Sequence, residues 1–140
     1  MCIRDRLVVI SADTAISMMA VNDKQELVGG VILPGPQLSL NALVKNTAQL
    51  PQIDLAAKAP ESILGKSTSA CLQNGFVLGT ASQLDGLAAR FCAELGPQTA
   101  FYATGNLPLA IRDACRTPIR YRETLITDGL YRIWLKNKKG

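Results

Sequence analysis

Apolar residues fall in short runs at the start of the chain and in helical spacing further on. Residues 7–10 and 15–21 are compact runs rich in Val, Ile and Met, separated by Ser11-Ala12-Asp13-Thr14, and each has the length of a strand. The polar cluster Asn22-Asp23-Lys24-Gln25 predicts a turn, after which residues 26–33 return to a strand pattern with Gly29-Gly30 inside it. Three consecutive strands joined by tight turns make an antiparallel meander. Pro34-Gly35-Pro36 ends it, and Pro36 suits the first turn of a helix, where its absent N–H is not needed.

Residues 37–49 carry Leu38, Leu40, Ala42, Leu43 and Val44 on a helical stripe that stops at Pro51. Pro51 and Pro60 bracket a weak pattern that reads as a connecting loop over 51–62. Ser67 or Thr68 then caps a long helical region reaching residue 95, open to interruption at Gly75, Gly79 or Gly86 and stopped by Gly96-Pro97. A buried strand over 99–103, a helix over 107–116, an extended piece over 119–124 and an amphipathic helix over 127–137 follow. This order predicts an α/β domain whose mixed sheet begins as a three-strand meander and is flanked by helices. It is the order of a single ribonuclease-H-like lobe.

The chain has 140 residues, 48% of them hydrophobic and 19% charged, which suits one globular domain with a real core and excludes a disordered tail. It contains no histidine, so a Ser-His-Asp triad, imidazole acid/base chemistry and His-dependent zinc sites are excluded. The net charge of +4 sits at the ends: without residues 1–6 and 136–140, ten side chains of each sign remain. A neutral body with 5% aromatic residues lacks the basic stripe and stacking platform of a nucleic-acid surface. Cys2, Cys71, Cys92 and Cys115 form no C-x-x-C pair and read as buried reduced thiols. No stretch has the character of a membrane span or a secretory signal, so a cytoplasmic setting without membrane partners is expected.

Gly65-Lys66-Ser67 falls short of a P-loop, because the glycine required five residues earlier is Pro60. Locally, Ser67 and Thr68 read as a helix cap. The turn at residues 11–17 brings backbone N–H groups and small hydroxyls to one sheet edge, suited to a phosphate oxygen or cation, or simply to a self-satisfied hairpin. Ala103-Thr104-Gly105-Asn106 closes a strand where α/β folds gather ligands, though Asn106 equally fits a helix N-cap behind a glycine turn. Asp85, Asp113 and Asp128 have no spaced partner and read as surface charges; Tyr131 and Trp134 read as core or interface packing.

Taken in order, these pieces resemble the C-terminal half of type III pantothenate kinases, of the actin and sugar-kinase superfamily. The turn at Thr14-Ala15 resembles the family's D-x-G-T-A segment, and Leu27-Val28-Gly29-Gly30-Val31-Ile32-Leu33-Pro34-Gly35 its L-G-G-x-I-x-P-G strand. Asn46-Thr47-Ala48-Gln49-Leu50-Pro51 is similar to T-A-x-L-P. Gly65-Lys66-Ser67-Thr68 with Gln73-Asn74-Gly75 is similar to G-K-N-T with Q-S-G, and Ala103-Thr104-Gly105 to A-T-G-G. On this resemblance residues 7–137 form the lobe, residues 1–6 a stub outside the family and 138–140 a basic tail.

The resemblance implies ATP-dependent phosphorylation of pantothenate, the first step of coenzyme A biosynthesis, by a cytoplasmic homodimer. It implies Mg2+ or another divalent cation together with K+ or NH4+. Carried over by position, Thr14, Thr104 and Gly105 bind ATP, Thr68 contacts pantothenate, and Ser11 takes the monovalent-cation position. Hydroxyls, amides and metals can carry phosphoryl transfer without histidine. Ser11 stands for a family aspartate, while Asp13 and Asn106 stand for glycines. The G-x-D-R segment with the family's base has no counterpart here, so the isolated chain is expected to be inactive. The alternative expectation is a non-catalytic ligand-binding or dimerisation module derived from the kinase.

Overall fold

The computed structural model describes residues 6–138. Nine elements follow one another: β1 (Leu7–Ala12), β2 (Ala15–Val21), β3 (Leu27–Pro34), α1 (Pro36–Lys45), α2 (Thr68–Leu95), β4 (Ala100–Gly105), α3 (Leu109–Ala114), β5 (Ile119–Tyr121) and α4 (Leu125–Lys138). They form a five-stranded mixed sheet of order β3-β2-β1-β4-β5 flanked by helices. The first three strands are the expected antiparallel meander, and β4 and β5 add in parallel beside β1.

Alternation along the strands decides which face is the core. Val8, Ile10 and Ala12 of β1, Ile16, Met18 and Ala20 of β2, and Phe101 and Ala103 of β4 are buried against Leu40 of α1, Val77, Ala81, Leu84 and Ala88 of α2, and Ile111 of α3. The intervening residues Leu7, Val9, Ser11 and Tyr102 point to the other face and are half-buried. That second face is where α4 lies.

Several element ends differ from expectation for local reasons. Helix α1 stops at Lys45, not at residue 49, because Asn46 Nδ2 donates to the Ala42 carbonyl at 2.7 Å and Thr47 Oγ1 to that of Leu43 at 2.7 Å, satisfying the last turn. Helix α2 is unbroken. Its three glycines face open space and cost about 1 kcal/mol each, while the buried stripe from Leu72 to Ala88 holds the helix on the sheet. Helix α3 starts after Pro108, so Asn106 is not its cap. Helix α4 is longer than expected and takes in Lys138 from the expected basic tail.

Two packing expectations are corrected. Tyr131 and Trp134 are not core residues: they are exposed and stack on each other with ring centres 5.9 Å apart, because their side of α4 faces away from the sheet, which overturns the core alternative and not the interface one. Of the cysteines, Cys71 is exposed and Cys92 and Cys115 are half-buried; Cys2 lies outside the described residues. Residues 1–5 and 139–140 are likewise outside, but Arg6 is part of the fold: its carbonyl accepts from Ala100 N–H at 3.0 Å, and its guanidinium donates to the Leu95 carbonyl.

Candidate functional site

The carboxyl ends of β1 and β4 lie side by side, with Ser11 paired to Thr104 and Ala12 to Gly105. Beyond them a groove of about 290 Å³ is lined by Asp13 and Thr14 of the β1–β2 turn, Pro36, Gln37, Leu38 and Asn41 of α1, and Asn106 and Pro108 after β4. Its walls are held by backbone contacts. Gly35 N–H donates to the Thr14 carbonyl at 2.8 Å, and a Cβ on Gly35 would meet the Asp13 and Thr14 carbonyl oxygens at 2.5 and 2.6 Å, so only glycine lets α1 approach the turn. Asn106 N–H donates to the Ala12 carbonyl at 2.6 Å, tying the segment after β4 to the end of β1.

Thr14 is exposed at the mouth of this groove. The first turn of α1 also opens there. Ser39 N–H is bonded to the Gly35 carbonyl, while the N–H groups of Gln37 and Leu38 precede the first intrahelical bond and carry the positive end of the helix dipole. Residues that carry hydroxyl, amide and helix-end donors thus line one concavity, a donor set of the kind that suits phosphate oxygens. Asp13 is the single charged side chain in the lining, and it opposes an anion. Among the described residues no three Asp, Glu or Cys side chains gather as a metal cluster.

The other expected site residues are placed less simply. Thr104 is 1% exposed and its hydroxyl donates to the Glu123 carbonyl at 3.2 Å, so a side-chain contact with nucleotide requires that bond to open. Gly105 is exposed, with φ +85°, and its carbonyl accepts from the Tyr121 hydroxyl. Ser11 is half-buried between Ser17 and Thr104 on the second face of the sheet. Thr68 opens α2 and is exposed, but it does not line the Thr14 groove. The helix cap is Ser67, whose Oγ accepts from Ala70 N–H at 3.1 Å, which leaves Thr68 outside that role.

The sequence reading missed what holds the loop before Thr68. Asn74 is buried on α2 and donates through Nδ2 to the carbonyls of Ser62 (2.8 Å) and Ile63 (3.1 Å). A Cβ on Gly65 would stand 2.5 Å from Cys71 N, so Gly65 serves close packing of the loop on α2. The signal was present in the Gln73-Asn74 pair: a polar amide on the buried side of an apolar helix needs a partner. Asp85, read as a surface charge, instead accepts from the N–H groups of Arg116 and Thr117 at 2.8–3.1 Å.

A family model described as type III pantothenate kinase matches residues 2–90. The chain belongs to this family. The type III pantothenate kinase of Frankia alni is 36% identical over 130 residues, covering 93% of this chain and 51% of its own length. That of Deinococcus radiodurans is also 36% identical over 130 residues, covering 93% and 49%. The chain therefore spans about half the length of these relatives, and the matching half is C-terminal. A solved Baf family transcriptional activator from Campylobacter jejuni superposes with a TM-score of 0.69 at 22% identity, covering 99% of this chain and 61% of its own, which shows a shared fold. Among the described residues no helix is long and apolar enough to cross a membrane.

Proposed function

We propose that this chain supplies the C-terminal half of a site that phosphorylates pantothenate with ATP, in a lobe of the actin and sugar-kinase superfamily. The observation that carries the reading is the exposed Thr14 hydroxyl beside the open N-terminus of α1, in a groove at the strand ends of a pantothenate kinase family member. Thr14, the α1 amides and the Gly105 turn bind and orient the triphosphate. Thr68, freed from capping by Ser67, contacts pantothenate. A divalent ion bound with the nucleotide would neutralise phosphate charge, with Asp13 the nearest acidic neighbour; Ser11 offers a monovalent ion only a neutral hydroxyl. The base that takes the substrate proton belongs to the other half, so the isolated chain is inactive. The setting is cytoplasmic and the assembly a homodimer, supported by the apolar helix α2 with its open glycine face.

Calorimetric titration with ATP and Mg2+ tests this. The chain gives a saturable heat, and Thr14→Val weakens it at least fivefold without altering the unfolding midpoint. The second reading, a non-catalytic module, is favoured by Asp13, which puts a negative charge and no balancing base in the groove. No heat from either protein would favour that module.

A further inference from the structure

One peptide group at the edge of the groove is held at both ends. The carbonyl of Gly105 accepts from the Tyr121 hydroxyl, and the N–H of the same peptide, that of Asn106, donates to the Ala12 carbonyl at 2.6 Å. Ladder geometry explains why a side chain serves the first of these ends. Arg122 N–H takes the Ala103 carbonyl at 2.7 Å, but β5 ends at Tyr121, and two residues further along β4 a hydroxyl stands in for the next ladder donor. The Tyr121 ring is fixed in turn by Arg112 of α3, whose guanidinium carbon lies 4.0 Å from the ring centre. Arg112 Nε is buried and has no hydrogen-bond partner among the described residues, which leaves the aromatic face as the contact that orients it. Gly105 itself sits at φ +85°, and a glycine lets the peptide that follows it turn over more readily than any other residue does.

We propose that Tyr121 is a positioning residue, which locks the Gly105–Asn106 peptide in the orientation that builds the groove wall, with Arg112 holding the ring in place. The proposal rests on the kinase reading above only for the ligand, ATP with Mg2+, that the turn meets. Asn106 lines the groove, whereas Arg112 and Tyr121 stand outside its lining, so their effect on a bound nucleotide passes through this peptide. With the peptide turned over, its carbonyl oxygen would point at the Ala12 carbonyl oxygen, and the two would repel. The turn would then draw away from β1 and take Asn106 with it, loosening the wall opposite Thr14.

Tyr121→Phe removes the hydroxyl and keeps the ring for Arg112. Hydrogen exchange of the Asn106 amide, followed by NMR on the full chain, is expected to speed up at least tenfold, while the amide of Ile10 in the core and the thermal unfolding midpoint stay as in the wild type. Calorimetry with ATP and Mg2+ is expected to show an affinity about fivefold weaker, the fold-change of one ordinary hydrogen bond. Arg112→Gln is expected to weaken nucleotide binding in the wild-type background and to add nothing in the Tyr121→Phe background, because its effect passes through the hydroxyl. Two residues that only stabilise the fold would act in both backgrounds. Unchanged exchange at Asn106 in Tyr121→Phe would overturn the lock, and fast exchange with unchanged affinity would overturn its role toward the ligand. If the wild type gives no heat with nucleotide while Asn106 responds as expected, the kinase reading falls and the lock stands.

Discussion

A Cβ on Gly105 would stand 2.2 Å from the carbonyl oxygen of Ala12, its partner across the β1–β4 pair. The same carbonyl accepts the Asn106 N–H, so the close approach and the left-handed φ of +85° together shape the floor edge of the groove. Gly105→Ala is expected to lose about 1–3 kcal/mol from the backbone conformation alone, with the clash adding to it. Urea unfolding should show a lower midpoint at unchanged slope. Unaltered stability would mean that the strand ends separate easily.

The start of α2 gives two substitutions with opposite expectations. Ser67→Ala removes the cap bond to Ala70 N–H and is expected to cost about 1 kcal/mol. Thr68→Val leaves the cap in place and should change stability by less than about 0.5 kcal/mol. If Thr68→Val proves as damaging as Ser67→Ala in thermal unfolding, the hydroxyl of Thr68 is structural and its proposed contact with pantothenate loses support.

Much of this architecture was legible because the strands are short apolar runs bounded by turn formers. Ile16, Met18 and Ala20 are buried where period two puts them, and Pro36 opens α1 as its missing N–H suggests. Thr14 was legible as a groove residue for a related reason: a turn between two core strands must surface at the sheet edge. Tertiary partners were not legible. The hydroxyl of Thr104 is used by Glu123, nineteen residues on, and the carboxylate of Asp85 by Arg116 and Thr117; local pattern reports neither. The orientation of α4 escaped for another reason. Periodicity locates an apolar stripe but not the surface it faces, and here the stripe faces away from the chain's own sheet.

Thiol reactivity should follow exposure and ionisation. Burial, reinforced by the charge of Asp85, pushes the Cys115 thiol up to about 12, so it stays protonated at pH 8 and reacts slowly. Cys71 is exposed on the first turn of α2. In a Cys2→Ser background, iodoacetamide at pH 8 is expected to modify Cys71 first and leave Cys115 intact until the chain unfolds. Early labelling of Cys115, located by peptide mass mapping, would mean that the segment after α3 opens on its own.

Asp85 couples α2 to that segment, and its protonation sets an acid limit on the contact. Burial pushes the carboxyl up, but the N–H groups of Arg116 and Thr117, helped by the Arg116 charge, more than offset this and hold it below its ordinary value of 3.8. A group whose folded value is depressed contributes fully above the unfolded value and loses its contribution as pH falls through the folded one. Asp85→Asn is therefore expected to destabilise the chain by about 1–3 kcal/mol at pH 7, since it weakens charge-assisted bonds to two backbone donors. The gap between wild type and variant should narrow as pH drops below 3.8 and the native carboxylate takes up its proton. The same variant removes the charge that adds to burial at Cys115, so the thiol should ionise at a lower pH than in the wild type, though still above the ordinary range because burial remains. Urea unfolding between pH 2 and 7, with alkylation of Cys115 followed from pH 8 to 11, measures both effects. A stability gap that does not change with pH would show that Asp85 acts by shape and not by charge.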